Sequence, residues 1–590
     1  MVRRLRLDRR AFTIAGLICL GLLPIVLMVY HVRSTWIQIP FWDEWATPGR
    51  EFEAWCRGSL TLSDLFWQHN ESRKFFPRLL YLALAEVGGW DVRKEMDIVL
   101  LEVCLLSLLL WRLLRQTPGS TSLAALTTWI VMMFLCFSPV QFENFLYGIQ
   151  LEPFFVGLAV VAAAAVNLSA LSFRSKALTN LLFALASTYT YANGMLLWLL
   201  ALPLASASDS TPRRRRVLWF GIYVLAAIAA IGFYFVGYER PSYHPEFASL
   251  QREGLDLAHY LILWIGSYFA SDYVNPLIAG IVAIGLYTAV CGTTLILVFR
   301  NHEWRTFYPW MLIGTYAVVS GIVTAFGRVS FGIQQALDIR YTAFSLFFYL
   351  SLAGISFALY CALWGGMRNG SPAGRACFLT NAAWLFALAA LCWTACYQKN
   401  VGLLPGHREQ RVRMSSALKW MDVIPDNPDL ALIFPFVDEL KLRARILAEH
   451  RVLRLPFIKG PLAAQVRQPP PDADGSAGRI ETCAFDGQGS LFITGWAWSP
   501  ARNQHADCAV IGCKDATGNF KPICVLGTGM LRDDLCERYQ LPMMEYAGFS
   551  RTVNPANLPT GDVVIEGWAI DLKEQKAWPL ASSLKLKQPR

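Results

Sequence analysis

The sequence predicts a mainly α-helical polytopic membrane protein of about eleven transmembrane helices, followed by a C-terminal all-β sandwich domain outside the membrane. Three observations predict it. The 590 residues are 55% hydrophobic and only 16% charged, where soluble domains carry about 25% charged residues. Apolar runs of roughly twenty residues, enough to cross a bilayer, recur as far as residue 396. From about Gly478 the pattern changes to short alternating runs between Gly, Asn, Asp and Pro turns, the mark of strands.

The chain opens with five arginines among residues 1–10, then an apolar run. No small-residue cleavage site follows, so this run reads as an uncleaved first helix and not as a signal peptide. The candidate spans are 11–31, 96–114, 122–139, 152–172, 177–191, 194–207, 217–237, 272–299, 307–326, 342–364 and 376–396. The fifth and sixth are short and parted only by Tyr191-Ala192-Asn193-Gly194, so they also fit one re-entrant pair. With the N-terminus in the cytoplasm, the inner connections hold Arg112 and Arg115, Arg174 and Lys176, Arg213 to Arg216, Arg300 and Arg305, and Arg368 and Arg375. That agrees with the excess of basic residues in cytoplasmic loops. An odd number of spans puts the tail outside. The net charge of +10 comes from these arginine-rich flanks, and nothing points to nucleic-acid binding.

The first outer loop, 32–95, has internal structure. Pro77 suits the first turn of a helix over 77–87. Gly88-Gly89 ends it, and Asp91 can cap the next helix. The segment is too short to span, so it is expected to lie along the interface. The apolar second half of the third outer connection, 255–270, is expected to do the same.

Beyond the last span, 410–421 reads as an amphipathic helix and 469–475 as a Pro-rich linker. The domains are therefore 1–396, a connecting region 397–477, and the β-rich tail 478–590. In the tail, Gly495-Trp496-Ala497-Trp498 is echoed by Gly567-Trp568-Ala569-Ile570, which suggests two equivalent strands. Their tryptophans serve either core packing, the commoner use, or stacking on sugar rings. Five cysteines, Cys483, Cys508, Cys513, Cys524 and Cys536, lie here. Outside the cytoplasm some could pair, and an odd number leaves at least one free.

Polar groups collect at the outer connections. Phe41-Trp42-Asp43-Glu44-Trp45 places two carboxylates among aromatics just beyond the first span. His69-Asn70-Glu71-Ser72-Arg73 follows in the same loop. Glu143 and Asn144 lie in the second outer connection, Tyr243 and His244 in the third, and Arg328, Arg340 and Tyr341 in the fourth. A carboxylate within hydrogen-bond reach can take a proton from an attacking hydroxyl. Neighbours on a helix diverge by about 100°, so one of Asp43 and Glu44 would act while the other orients or binds. Arginine suits a phosphate because its planar fork grips two oxygens. Each residue also has a plainer use, as a solvated loop acid or as an interfacial arginine with its head in water. No phosphate-binding Gly-rich loop, dinucleotide fingerprint, HExxH or Asp-rich metal signature is present. Asp97 and Glu102, five residues apart in the second span, do not share a helix face well.

With these residues in view the chain resembles the GT-C superfamily of integral-membrane glycosyltransferases. The matching stretches are 41–45, 69–78, 141–148 and 327–341. The multispan core with an outer β-rich tail is similar to the mycobacterial arabinofuranosyltransferases, whose tail binds carbohydrate. The resemblance implies a bacterial inner-membrane enzyme with its site on the periplasmic side. The donor would be a polyprenyl-phosphate-linked sugar and the acceptor a glycan or lipid of the cell envelope, with membrane lipid around the spans. It implies direct displacement with inversion at the anomeric carbon. Asp43 would be the general base, and Glu44 its neighbour or substitute. Arg328 and Arg340 would hold the donor phosphate, and His69, Glu71, Arg73, Glu143, Asn144 and Tyr341 would line the site. No cofactor is expected, no metal ligands are assigned, and a divalent ion stays open. Two other classes fit less well. A flippase of lipid-linked glycans would carry charge at the bilayer midplane. In a non-enzymatic glycan-binding assembly protein, the tail would do the work and the spans would only anchor it.

Overall fold

A computed structural model describes the chain apart from residues 1–8, 207–208, 242–249, 302–303, 368–371, 459–476, 486–489, 515–519, 554–561, 575, 582–583 and 588–590. Tyr243, His244 and the 469–475 linker lie outside the described residues. The chain is mostly helical up to residue 449 and β-rich from Gly478 onward.

Among the described residues, seven helical segments are long and apolar enough to cross a membrane. They are Ile14–Thr35, Ser122–Phe145, Gly148–Leu168, Arg213–Phe235, Pro276–Arg300, Trp304–Phe331 and Ile339–Leu363. Each overlaps an expected span. The other four expected spans take different forms. Val92–Gln116 is a 25-residue helix, but any spanning stretch of it includes at least three of its ionisable residues. Phe173–Thr188 has 16 residues, about 24 Å at 1.5 Å per residue, short of a hydrocarbon core of about 30 Å. Among its described residues, the segment 194–207 holds a 3-10 turn, Ala192–Leu196, and the four-residue helix Leu197–Leu200. The segment 376–396 lies within the 48-residue helix Pro372–Lys419, and most of its side chains fall outside the described residues. The expected amphipathic helix at 410–421 is the end of that same helix.

The chain forms two compact units, each discontinuous in sequence. The first comprises Met1–Ser34, Thr61–Leu80 and Lys94–Gly402. Its core is aromatic: Trp264, Trp310 and Tyr316 are fully buried. A Cβ at Gly354 would come 2.0 Å from the Trp310 ring, so only glycine lets the helices Trp304–Arg328 and Thr342–Met367 approach this closely. The expected interfacial stretch 255–270 is the helix Leu250–Gly266 with a 3-10 turn. One face of it buries Tyr260 and Trp264, while Leu255 is exposed. A two-residue hairpin pairs β1 (Gln68–His69) with β2 (Ser72–Arg73). Asn70 turns it at φ 51°, a conformation that asparagine tolerates better than most residues.

The second unit comprises Thr35–Leu60, Tyr81–Arg93 and Leu403–Arg590. Trp90 is the hub of its helical part. Its ring meets Trp45 at 5.2 Å and Phe52 at 5.1 Å, both edge to face, and its N–H donates to the Val452 carbonyl. The expected stop at Gly88-Gly89 is there. The helix Phe75–Gly88 ends at Gly89, whose φ is 72° and whose missing Cβ would lie 2.8 Å from the Val452 oxygen. Asp91 caps the next helix by accepting from the Arg93 N–H.

The β-rich part has two antiparallel sheets. The strands are β3 (Gly478–Phe485), β4 (Leu491–Ser499), β5 (Gln504–His505), β6 (Cys508–Lys514), β7 (Phe520–Gly527), β8 (Gly548–Val553), β9 (Asp562–Asp571), β10 (Lys576–Pro579) and β11 (Leu584–Lys587). In one sheet β4 is central, flanked by β3, β5 and β8. In the other β9 is central, flanked by β6, β10 and β11, with β7 on the far side of β6. The two Gly-Trp strands are thus the central strands of different sheets. Ile480, Ile493 and Phe549 of one sheet share a buried cluster with Ile511, Ile565 and Trp578 of the other.

Candidate functional site

The expected site residues fall into both units: Asp43 and Glu44 in the second, the remainder in the first.

In the second unit, Asp43 and Glu44 open the four-residue helix Asp43–Ala46. Their roles differ. Glu44 is buried, and its Oε2 accepts from the Phe41 N–H at 2.7 Å. That contact closes the turn on itself, as an acid at the third helical position does in a capping box. Asp43 is half-buried. The turn is held from several directions. The Trp42 N–H donates to the Ile433 carbonyl at 2.7 Å. The Trp45 indole donates to the Pro40 carbonyl at 2.8 Å. Arg443 donates to the Trp45 carbonyl at 2.9 Å and pairs with Glu53 at 3.0 Å. Trp42 sits at φ 52°, a backbone conformation that costs a large residue energy and is sustained by these contacts. The Arg411 guanidinium carbon lies 3.4 Å from the centre of the Phe41 ring. His407 is 3.5 Å from Arg411 Nε. Burial, then the Arg411 charge, hold its pKa down to about 3, so it is neutral. Sequence reasoning missed Arg411, His407 and Arg443, which lie hundreds of residues from the turn.

In the first unit, Glu71 and Arg328 form an ion pair at 2.5 Å, with side chains 31% and 22% exposed. Arg328 is the last residue of the helix Trp304–Arg328. Three 3-10 turns follow, Val329–Phe331, Ile333–Leu337 and Ile339–Tyr341, and they carry Arg340, which pairs with Asp338 at 2.8 Å. The Arg340 guanidinium lies 5.2 Å from the centre of the Tyr341 ring, and the charges of Arg328 and Arg340 both act on the hydroxyls of Tyr191, Tyr260 and Tyr341. Glu71, Arg328, Arg340 and Tyr341 therefore come together.

The other residues expected to line the site do structural work in this fold. Arg73 donates to the carbonyls of Tyr234, Phe66 and Val236 at 2.6, 2.7 and 2.5 Å. It thus caps the end of the helix Arg213–Phe235, where a cation is favoured. Asn144 is buried and donates to the Ile339 carbonyl and the Thr342 hydroxyl, which anchors the start of the helix Thr342–Met367. His69 is buried in the hairpin opposite Ser72. Glu143 is half-buried in the short helix Phe142–Phe145.

In the tail, Trp496 packs with Leu535 and Met544, and Trp568 packs against a cluster containing Trp420 and Ile424. Both serve packing. None of the five tail cysteines is in a disulfide, so none of the pairings open from sequence is formed. Among the described residues, no group of three or more His, Cys, Asp or Glu side chains is placed to hold a metal ion. No protein-family model matches the chain, and neither a curated protein nor a solved structure is found to match it.

Proposed function

We propose that the chain is an inverting glycosyltransferase of the GT-C kind. It would move a sugar from a polyprenyl-phosphate donor to a cell-envelope glycan or lipid on the periplasmic side of a bacterial inner membrane. The observation that carries this reading is the division of labour in one turn. Glu44 is spent on the Phe41 amide, and the adjacent, half-buried Asp43 is presented by a backbone fixed on several sides. A carboxylate carried on a firmly held turn, shortly after a helix long and apolar enough to cross a membrane, suits general-base chemistry on a hydroxyl. Asp43 takes the proton of the acceptor hydroxyl as its oxygen bonds to the anomeric carbon. The bond from that carbon to the phosphate oxygen breaks, and the lipid phosphate leaves with the electron pair. Separately from that turn, Arg328 and Arg340 of the first unit would offer positive charge to an anionic lipid headgroup.

The reading keeps eleven membrane segments, with the N-terminus cytoplasmic and the tail periplasmic. Val92–Gln116, Phe173–Thr188, the short turns after residue 192 and the first part of Pro372–Lys419 would lie in the bilayer beside the seven apolar helices. The tail is read as a β-sandwich, supported by the core that its two sheets share. Mass spectrometry of envelope glycans from cells with and without the chain tests the reading. Loss of one sugar addition is expected on deletion, with no restoration by Asp43→Asn. An unchanged glycan profile on deletion would remove the basis for the assignment.

A further inference from the structure

We propose that the starts of the helices Phe173–Thr188 and Arg213–Phe235 together form a binding surface for an anionic phospholipid of the surrounding bilayer. The inference goes beyond the glycosyl-transfer reading and does not depend on it.

The two helix starts are tied together within one compact unit. The Asp209 carboxylate accepts from the Phe173 N–H at 3.0 Å and from the Thr211 N–H at 2.9 Å. Arg216 donates to the carbonyls of Thr211 and Asp209 at 2.8 and 2.5 Å. From the other helix, the Arg174 guanidinium lies 5.1 Å from the centre of the Trp219 ring. Arg215 precedes Trp219 by four positions, so the two share a helix face. Arg174 and Arg215 thus belong to one surface.

That surface is strongly positive. Residues 167–220 hold six basic side chains, Arg174, Lys176 and Arg213 to Arg216, against one acid, Asp209. The acid is engaged by the two amides and lies 4.0 Å from Arg216. Lys176 is buried, and its ammonium donates to the Asn167 carbonyl at 2.7 Å. Arg174, Arg213, Arg214 and Arg215 are exposed, and none of the four has an anionic partner among the described residues.

Charge alone would attract any anion, and the adjoining surface selects a lipid. Directly after the arginine run, Val217, Leu218, Phe220, Leu225 and Ile228 are exposed, on a helix long and apolar enough to cross a membrane. A ligand that covers both surfaces has an anionic head and acyl chains. Clusters of four or more basic residues at the end of such a helix attract anionic lipid, and a tryptophan such as Trp219 suits headgroup level.

The surface is distinct from the Glu71–Arg328 pair. The helix Arg213–Phe235 has 23 residues, about 35 Å at 1.5 Å per residue. At its far end Arg73 donates to the Tyr234 and Val236 carbonyls, and the Tyr234 hydroxyl donates to the Glu71 carbonyl. The arginine run therefore faces the leaflet opposite the one near Glu71.

The test uses the purified full chain in micelles, titrated with phosphatidylglycerol, cardiolipin or phosphatidylethanolamine and read by native mass spectrometry. Wild type is expected to bind the two anionic lipids roughly ten-fold or more tighter than the zwitterionic one. The triple change Arg213→Gln/Arg214→Gln/Arg215→Gln keeps good helix formers. It should remove most of that preference and leave phosphatidylethanolamine binding unchanged. Arg174→Gln should give a smaller, several-fold loss, and it serves if the triple variant does not fold. Tighter binding of cardiolipin assigns the surface to a head with two phosphates. Equal or tighter binding of phosphatidylglycerol assigns it to a head with one, and either result supports the site. Equal affinity of wild type for all three lipids overturns it. So does an undiminished anionic preference in the folded triple variant or, failing that, in Arg174→Gln.

Discussion

Lys74 Nζ lies 2.7 Å from Glu152 Oε2, with the two side chains only 6% and 1% exposed. The lysine follows the β1–β2 hairpin, and the acid opens the helix Leu151–Leu168. Removing one partner strands the other charge in a low-dielectric setting. Lys74→Met should therefore destabilise the protein by about 3–5 kcal/mol, while the double change Lys74→Met/Glu152→Leu should recover much of the loss. Denaturant titration in micelles measures both. A single variant as stable as wild type would contradict the pairing.

The two acids of the turn Asp43–Ala46 should separate in their effects. Asp43→Asn should cut sugar transfer by roughly 10²–10⁴-fold with little change in thermal midpoint. Glu44→Ala leaves the Phe41 amide without its acceptor and should cost about 1–3 kcal/mol of stability. A transfer assay and a melting curve on each variant decide this, and an Asp43→Asn variant at wild-type rate would exclude it as the base.

Arg73→Lys conserves charge but cannot serve three carbonyls in the fixed geometry of a guanidinium. A loss of roughly 2 kcal/mol is expected. Hydrogen exchange should rise in the hairpin and at the end of the helix Arg213–Phe235. Unchanged protection there would mean that the clamp is dispensable.

His407 should make stability depend on pH. Its folded pKa, about 3, lies below the ordinary 6.5, so the unfolded chain takes up the proton first. The histidine's contribution is fully present above about pH 6.5 and is lost as pH falls towards 3. Comparing melting at about pH 7 and about pH 5, His407→Gln should show a smaller difference than wild type. Parallel pH profiles would rule out the histidine as a source of the slope.

Two buried tail thiols, Cys508 and Cys524, should be inert in the folded protein. Burial pushes Cys508 and Cys524 up to about 12, far from the thiolate that reacts. A maleimide should label neither until denaturant is added, and a reductant should leave the melting temperature unchanged. A shift on reduction would reveal a cross-link.

The seven apolar helices were legible because hydropathy over twenty residues is a property of composition alone. The segment expected to span at 194–207 holds no long helix among its described residues, because composition says nothing of whether the backbone stays helical, and here the helix ends at Leu200. The stop at Gly89 and the cap at Asp91 were legible as local chemistry. What stayed hidden depends on long-range pairing. Lys74 and Glu152 are 78 positions apart, and Arg411 reaches Phe41 across 370. Arg73 resembled a ligand residue because nothing near it in sequence shows that three distant carbonyls need its donors. The polar residue types between the apolar runs are legible, and the partners that each one takes are not.

The order of the two neighbouring acids matters more than their number. The carboxylate of residue 44 must reach back three positions to a main-chain amide, and it does so with a glutamate's two methylenes. Exchanging them, Asp43→Glu with Glu44→Asp, preserves mass and charge. The shorter acid can still close a latch of this span, as Asp64 does on the Thr61 amide, but position 43 would then carry the longer, more mobile arm. Transposition of two adjacent letters would thus alter the reach of the outer acid while composition records no change.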